Sequence, residues 1–80
     1  MSNLEILNSA FSDVFSVNEE KLNESFINVN VDGWDSIRHL TLVTAIEDAF
    51  DIMFDPEDII AITSYKTAKE VLSSKYGIEL

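Results

Sequence analysis

The side chains best suited to chemistry are concentrated in residues 28–40, NVNVDGWDSIRHL. This stretch holds the only tryptophan and the only histidine of the chain, one of its two glycines, and an acid-serine pair at Asp35 and Ser36. Three kinds of site use such residues. They are an oxygen-ligated cation site, a nucleophilic serine with its base, and a serine that carries a phosphate group.

An EF-hand calcium loop would account for the first half of the stretch. Positions 1, 3 and 5 of such a loop fall on Asn28, Asn30 and Asp32, and its glycine position falls on Gly33. The last position of the loop, which supplies a bidentate glutamate, is instead His39. Too few carboxylates remain to bind a cation, so the pattern does not favour a calcium site.

A nucleophilic serine with its base is the second alternative. Ser36 and His39 are one helical turn apart, and Asp35 supplies the third residue type of a catalytic triad. A triad also needs an oxyanion hole and a cleft, for which a chain of 80 residues with two glycines offers little scaffold. We therefore interpret His39 as a partly buried packing residue. One histidine and no cysteine also argue against zinc.

A phosphate-bearing serine fits the position of Ser36 best. It begins a predicted helix directly after a glycine-containing turn, where free backbone N–H groups and the helix dipole favour a negative group. Most Asp-Ser pairs before helices are nevertheless only caps, and Asp35 is the better cap of the two. The pair therefore needs support from the elements that position it.

The composition limits the partners and the number of domains. Fifteen acidic and five basic residues give a formal charge of −10, which should repel nucleic acid and anionic membranes and attract basic protein surfaces. The N-terminus has neither a secretory signal nor a membrane span, so we expect a cytoplasmic protein without membrane insertion. With 46% hydrophobic residues, the chain should fold as a single domain over residues 1–80.

Apolar periodicity predicts an all-α protein, a small four-helix bundle with three longer helices and one short helix. Helix one is expected from residue 2 or 3 to about residue 15. Residues 16–34 lose the period and are predicted to form a long, partly packed loop. Helix two should run from residue 35 or 36 to residue 50.

Capping signals predict the last two helices. Asp55 can cap a short third helix at about residues 56–61, with a proline at its first position. The sequence TAKE predicts a capping box in which Thr67 caps the fourth helix and Glu70 reaches back. This helix should close near Gly77.

Helix two carries more apolar surface than one core requires. The stripe expected to face the core consists of His39, Leu42, Val43, Ile46, Ala49 and Phe50. A second line, rotated away from it, consists of Ile37, Leu40 and Thr44. Because a surface helix is normally charged in such places, we interpret this line as partner-facing.

Six carboxylates follow without an intervening cation. They are Glu47, Asp48, Asp51, Asp55, Glu57 and Asp58. We expect them to form an unpaired, one-signed face for basic patches on partner proteins. The predicted docking residues are Ile37, Leu40, Thr44, Glu47, Asp48, Asp55, Glu57 and Asp58.

The segment GWDSIRHLTLVTAIEDAFDI resembles the phosphopantetheine attachment segment of acyl carrier proteins, in which D-S-L precedes an apolar-rich helix that ends in acidic residues and phenylalanine. DPEDIIAITSYKTAKEVL is similar to the short third helix, I-T-S-(F/Y)-x-T turn and fourth helix of that family, so the resemblance covers essentially the whole chain. Ile37 stands where leucine is usual. Arg38 and Thr41 stand where carriers of fatty acid synthesis typically have acids.

This resemblance implies a carrier that is not itself an enzyme. It would hold acyl intermediates as thioesters on a 4′-phosphopantetheine arm attached to Ser36, with Asp35 beside the phosphodiester. The arm would supply the thiol that a chain without cysteine lacks. Implied partners are a phosphopantetheinyl transferase, which uses coenzyme A, and acyl-loading and acyl-transferring enzymes with basic docking patches.

The pathway stays open among fatty acid, lipid and specialised metabolite biosynthesis, and a monomer is expected. Two alternatives remain. An aminoacyl or peptidyl carrier would share the fold and the chemistry. An unmodified acidic adaptor protein belongs to a different functional class.

Overall fold

The computed structural model describes residues 2–80, and the described chain is helical, as the periodicity predicted. The helices are α1 (Asn3–Phe15), α2 (Ser36–Phe50), α3 (Pro56–Ala61) and α4 (Tyr65–Lys75), with a single 3₁₀ turn at Glu19–Lys21 between α1 and α2. The predicted bounds of the first three helices are confirmed. None of the helices in residues 2–80 has the length and apolar character needed to cross a membrane.

α1 and α2 begin with side-chain caps and end without glycine. Ser2 Oγ accepts the Glu5 N–H of α1 at 3.2 Å, and Ser16 ends that helix in a left-handed conformation with φ of 55°. Asp51 ends α2 in the same way, with φ of 54°. In both cases the left-handed residue and its successor donate their N–H groups to one carbonyl of the last turn, which satisfies acceptors that the helix itself cannot.

α3 is held at its start by Tyr76, the residue directly after α4, rather than by its own side-chain cap. Asp55 occupies the predicted N-cap position, but its side chain makes no capping hydrogen bond. Its backbone N–H donates instead to the Tyr76 hydroxyl at 3.1 Å. A helix of six residues is too short to be stable alone, so contacts of this kind must hold it in place.

The start of α4 corrects the predicted capping box. The helix begins at Tyr65, and Ser64 is its N-cap, with Ser64 Oγ accepting the Thr67 N–H at 3.0 Å. Thr67 Oγ1 accepts the Ser64 N–H at 2.9 Å, so Thr67 is the third helical residue and Glu70 takes no part. This earlier start adds Tyr65 to the helix and buries it together with Ala68. The predicted end near Gly77 is confirmed.

The buried hydrophobic side chains form one cluster, to which α1, α2, α4 and the connecting segments contribute. Its most deeply buried members are Leu7, Phe11, Leu42, Ile46, Ile62 and Leu72. Ala49, which was predicted to face this core, is exposed because it lies at the edge of the apolar stripe of α2. The core holds α2 so that its remaining face points outward.

The segment between α1 and α2, residues 16–35, is anchored by aromatic rings and by one backbone bridge. The rings of Phe11, Phe15, Phe26 and Trp34 have pairwise centroid separations of 4.9–6.3 Å. Ile27 pairs with Ser64 in an isolated antiparallel bridge. These contacts place Trp34 directly before the first turn of α2.

Candidate functional site

Ser36 is exposed at the first position of α2, and the preceding residue, Asp35, caps that helix. The Asp35 carboxylate accepts the Arg38 N–H at 2.8 Å, which confirms the prediction that Asp35 is the cap. Within residues 2–80 the Ser36 hydroxyl has no hydrogen-bond partner. Its oxygen is therefore accessible from solvent at a helix N-terminus.

An open cavity of about 550 Å³ lies beside this serine, and we refer to it as the Ser36 cavity. Its lining residues are Asn28, Trp34, Asp35, Ser36, His39, Leu40, Ile60, Ile62 and Thr63. Segment 16–35, α2, α3 and the α3–α4 connection all contribute to its walls. Mainly apolar walls with a few polar groups are usual for small-molecule sites.

His39 lines the cavity but is not oriented toward Ser36. Its Nδ1 accepts the Trp34 indole N–H at 3.1 Å, and its Nε2 lies 2.7 Å from the Ile59 carbonyl oxygen. An indole can only donate and a carbonyl can only accept, so the two bonds fit the neutral imidazole with its proton on Nε2. Both ring nitrogens are occupied, and the Asp35, Ser36 and His39 side chains form no triad. The prediction that His39 is a partly buried packing residue is confirmed.

The residues considered for a calcium loop make other contacts. The Asn28 backbone N–H donates to the Thr63 carbonyl at 2.8 Å, and the Asn30 side-chain amide donates to the Ser25 carbonyl at 3.3 Å. In the described part of the chain, no three His, Asp or Glu side chains come together in a way that could hold a metal ion.

The predicted partner-facing line of α2 is exposed. Ile37 keeps 78% of its surface accessible and Leu40 keeps 57%, and Thr44 is exposed beside them. Together with Thr41, Ala45 and Asp48 they line a second open depression. The exposed line starts next to Ser36 and continues along the outer face of the helix.

The acidic residues do not form the uniform exposed face that was predicted. Asp48 and Asp55 are exposed, whereas Glu47 is half-buried and its carboxylate accepts the Phe54 N–H at 2.8 Å. Glu57 is exposed but lies 3.3 Å from Lys75 Nζ. The prediction of an unpaired face is therefore wrong for part of this set.

Asp58 is the clearest correction. Its side chain is only 4% exposed, and it contacts Lys75 Nζ at 2.8 Å and accepts the Tyr76 hydroxyl at 2.7 Å. These two hydrogen bonds, from Lys75 first, hold the pKa of Asp58 below its ordinary value. In turn, Asp58 raises the pKa of Lys75 and of Tyr76. Asp58 is thus a structural residue rather than a docking residue, because a carboxylate buried in this way needs a cation and a donor.

Arg38 has a contact that the sequence did not predict. Its guanidinium Nη1 donates to the Val14 carbonyl oxygen at 2.5 Å, across from α2 to the last turn of α1. α1 has no basic residue in that turn, so Arg38 supplies the cation that favours a helix C-terminus. No local signal indicates this contact, since the two residues are 24 positions apart.

Comparisons with known proteins found no matching protein-family model, no similar curated protein and no similar solved structure.

Proposed function

We propose that this protein is a carrier that holds acyl groups as thioesters on a 4′-phosphopantetheine arm attached to Ser36. The observation that carries the proposal is the division of roles at the start of α2. Asp35 caps the helix, and the exposed Ser36 hydroxyl is left without a partner among the described residues. A serine needed only as a cap would have its oxygen on a backbone N–H.

The attachment chemistry fits this position. The Ser36 oxygen would attack the phosphorus of coenzyme A that bears the pantetheine, losing its proton. The bond from that phosphorus to adenosine bisphosphate would break, and a phosphodiester would remain on the serine. Free N–H groups and the positive end of the helix dipole favour the negative charge of this group. The protein then presents the arm, and other enzymes load and unload it.

Docking of those enzymes would centre on the exposed apolar line next to Ser36. Ile37 and Leu40 provide the apolar contact, and Asp48 and Asp55 provide exposed negative charge. Apolar anchors inside a charged rim are a common design of protein interfaces, in which the rim charges mainly accelerate the encounter. Arg38 keeps its positive charge on this helix, with its guanidinium directed to the Val14 carbonyl at the end of α1.

The proposal includes a single cytoplasmic, monomeric domain in which the four helices form a bundle with a long loop between the first two. The shared hydrophobic cluster supports the bundle. The pathway is left among fatty acid, lipid and specialised metabolite biosynthesis.

Intact-mass measurement after incubation with coenzyme A and a broadly specific phosphopantetheinyl transferase tests the assignment. We expect the wild-type protein to gain the mass of one phosphopantetheine, and Ser36→Ala to gain none. Ser25→Ala is the matched control, because Ser25 is also exposed and lies within segment 16–35, and this variant should be modified like the wild type. Fragmentation should place the added mass on Ser36.

The two alternatives predict different results in this experiment. An unmodified acidic adaptor would gain no mass with any transferase, and that result would refute the proposal. An aminoacyl or peptidyl carrier would gain the arm but would then be loaded by an amino-acid-adenylating enzyme. Loading assays on the modified protein with acyl and aminoacyl donors separate these two kinds of carrier.

A further inference from the structure

Three groups form a continuous hydrogen-bonded chain along one wall of the Ser36 cavity. The Trp34 indole N–H donates to His39 Nδ1 at 3.1 Å, and His39 Nε2 donates to the Ile59 carbonyl at 2.7 Å. These hydrogen bonds join segment 16–35, α2 and α3. Trp34 and His39 both line the cavity, and Ile59 precedes a third lining residue, Ile60.

The direction of each bond determines how this chain responds to a proton. Protonated histidine carries N–H on both ring nitrogens and has no acceptor. Its Nε2 would still donate to the Ile59 carbonyl, so the contact with α3 would remain. Its Nδ1 would instead point an N–H at the indole N–H, and two donors 3.1 Å apart cannot form a hydrogen bond.

We propose that the contact between Trp34 and His39 is a protonation-sensitive latch on the Ser36 cavity. Neutral His39 holds the nitrogen-bearing edge of the Trp34 indole in place within the cavity wall. Protonation releases that edge and opens the wall formed by Trp34, while His39 stays bound to α3. The latch is a property of the folded chain and does not rest on the carrier proposal.

Packing explains why the indole edge would move rather than the whole segment. The indole also packs against three aromatic neighbours, with Phe15 at a centroid separation of 4.9 Å, Phe26 at 5.9 Å and Phe11 at 6.3 Å. The indole and imidazole rings lie at 25° to each other, with centroids 6.2 Å apart. These ring contacts hold the hydrocarbon part of the indole, so loss of the bond to His39 would act mainly on its nitrogen-bearing edge.

Charged groups on the neighbouring elements do not take part in these hydrogen bonds. Asp35, the only other charged residue of the cavity lining, has its carboxylate on the Arg38 N–H. On α3, Asp58 and Glu57 are engaged by Lys75. The remaining charged residues on these elements are Glu19, Glu20, Lys21, Glu24 and Asp32 in segment 16–35, and Arg38, Glu47 and Asp48 on α2. Carboxylates ordinarily titrate near pH 4, well below the range in which imidazoles change charge.

The single tryptophan and single histidine make the latch directly observable. In ¹⁵N-labelled protein, the indole N–H and the imidazole nitrogens each give one set of signals that can be followed between about pH 8 and pH 5. We expect the indole N–H signal to shift in parallel with the imidazole titration. Acrylamide quenching of the tryptophan fluorescence should become severalfold more efficient over the same range, with far-UV circular dichroism unchanged.

Two variants test the cause. His39→Gln keeps an acceptor for the indole and a donor for the Ile59 carbonyl but cannot titrate, so its indole signal and quenching should not change with pH. Trp34→Phe keeps the ring packing but removes the indole donor, so the methyl signals of Leu40 and Ile60, which line the same cavity and should follow the imidazole in the wild type, should respond less to pH in it.

Two results would overturn the proposal. One is an indole signal that stays fixed while the imidazole of the wild-type protein titrates. The other is a pH response of the indole that persists unchanged in His39→Gln. In the second case a carboxylate near the cavity, rather than His39, would control the wall.

Discussion

The Ser36 end of α2 and the α3–α4 junction, formed by Asp58, Lys75 and Tyr76, use similar side chains for opposite purposes. At the Ser36 end, the aspartate satisfies its own helix and the exposed hydroxyl has no partner in residues 2–80. At the junction, the aspartate is buried and joined to a cation and a phenol. An exposed carboxylate in this acidic chain is therefore available to a partner protein, whereas a buried carboxylate stabilises the fold.

Removing the junction carboxylate should have the largest effect on stability. Asp58→Ala leaves Lys75 with only the exposed Glu57 as a carboxylate partner and leaves the half-buried Tyr76 hydroxyl without its acceptor. We expect the melting temperature to fall by several degrees. Asp48→Ala is the matched control on an exposed carboxylate and should change it little. Equal effects of the two substitutions would remove the distinction between the regions.

The pH dependence of stability should reveal the contribution of the ionisable groups at this junction. Because the folded-state pKa of Asp58 lies below its ordinary value of 3.8, its contribution is present above pH 3.8 and is lost as the pH falls through the folded-state pKa. The pKa values of Lys75 and Tyr76 are raised in the folded protein. Their contributions to stability are therefore present at pH values below the ordinary pKa of each group, and they are lost as the pH rises through the folded-state pKa.

Denaturant unfolding of the wild type and of Asp58→Asn across these two pH ranges checks this linkage. The difference in free energy of unfolding between the two proteins should be greatest near neutral pH and should shrink at both extremes. A difference that does not vary with pH would mean that the ionised pair adds nothing beyond packing.

Arg38 should have an intermediate effect, because it joins two helices from an exposed position. Arg38→Gln removes the charge that faces the Val14 carbonyl at the end of α1. We expect a loss of about 0.5–1 kcal/mol, which corresponds to roughly 2–8 °C in melting temperature for a domain of this size. Lys66→Gln is the control, since Lys66 is exposed on α4. If both variants have the same melting temperature, the contact at the end of α1 makes no net contribution to stability.

Charge reversal on the outer face of α2 should have the smallest effect on stability and a clear effect on partners. Asp48→Lys reverses the exposed carboxylate that the carrier proposal places beside the apolar line of α2. Under the carrier proposal, we expect the KM of the transferase for this variant to rise severalfold at low salt, since rim charges act mainly on the encounter. The rise should shrink as salt is added, because screening weakens the interaction. An unchanged KM at all salt concentrations would indicate that this acidic surface is only solvated.

Local sequence signals predicted most of the helix bounds and the cap at the start of α2 well. The bounds of α1, α2 and α3 and the cap at Asp35 depend on residues within about one helical turn of each other, so spacing and capping rules suffice. The predicted start of α4 is three residues too late because Ser64 and Thr67 offer the same pair of side-chain hydrogen bonds as Thr67 and Glu70. Only burial of Tyr65 distinguishes the two registers.

The sequence by itself determined which segments are helical, which face of α2 is apolar, and that Ser36 follows a capping aspartate. The tertiary structure decided which partners the charged and polar side chains contact. Arg38 reaches Val14 across 24 positions, His39 reaches Ile59 across 20, and Asp58 reaches Lys75 across 17. The physical reason is that helix formation and capping depend on neighbours along the chain, whereas the partner of a buried polar group is chosen by whatever the packed core brings within hydrogen-bonding distance.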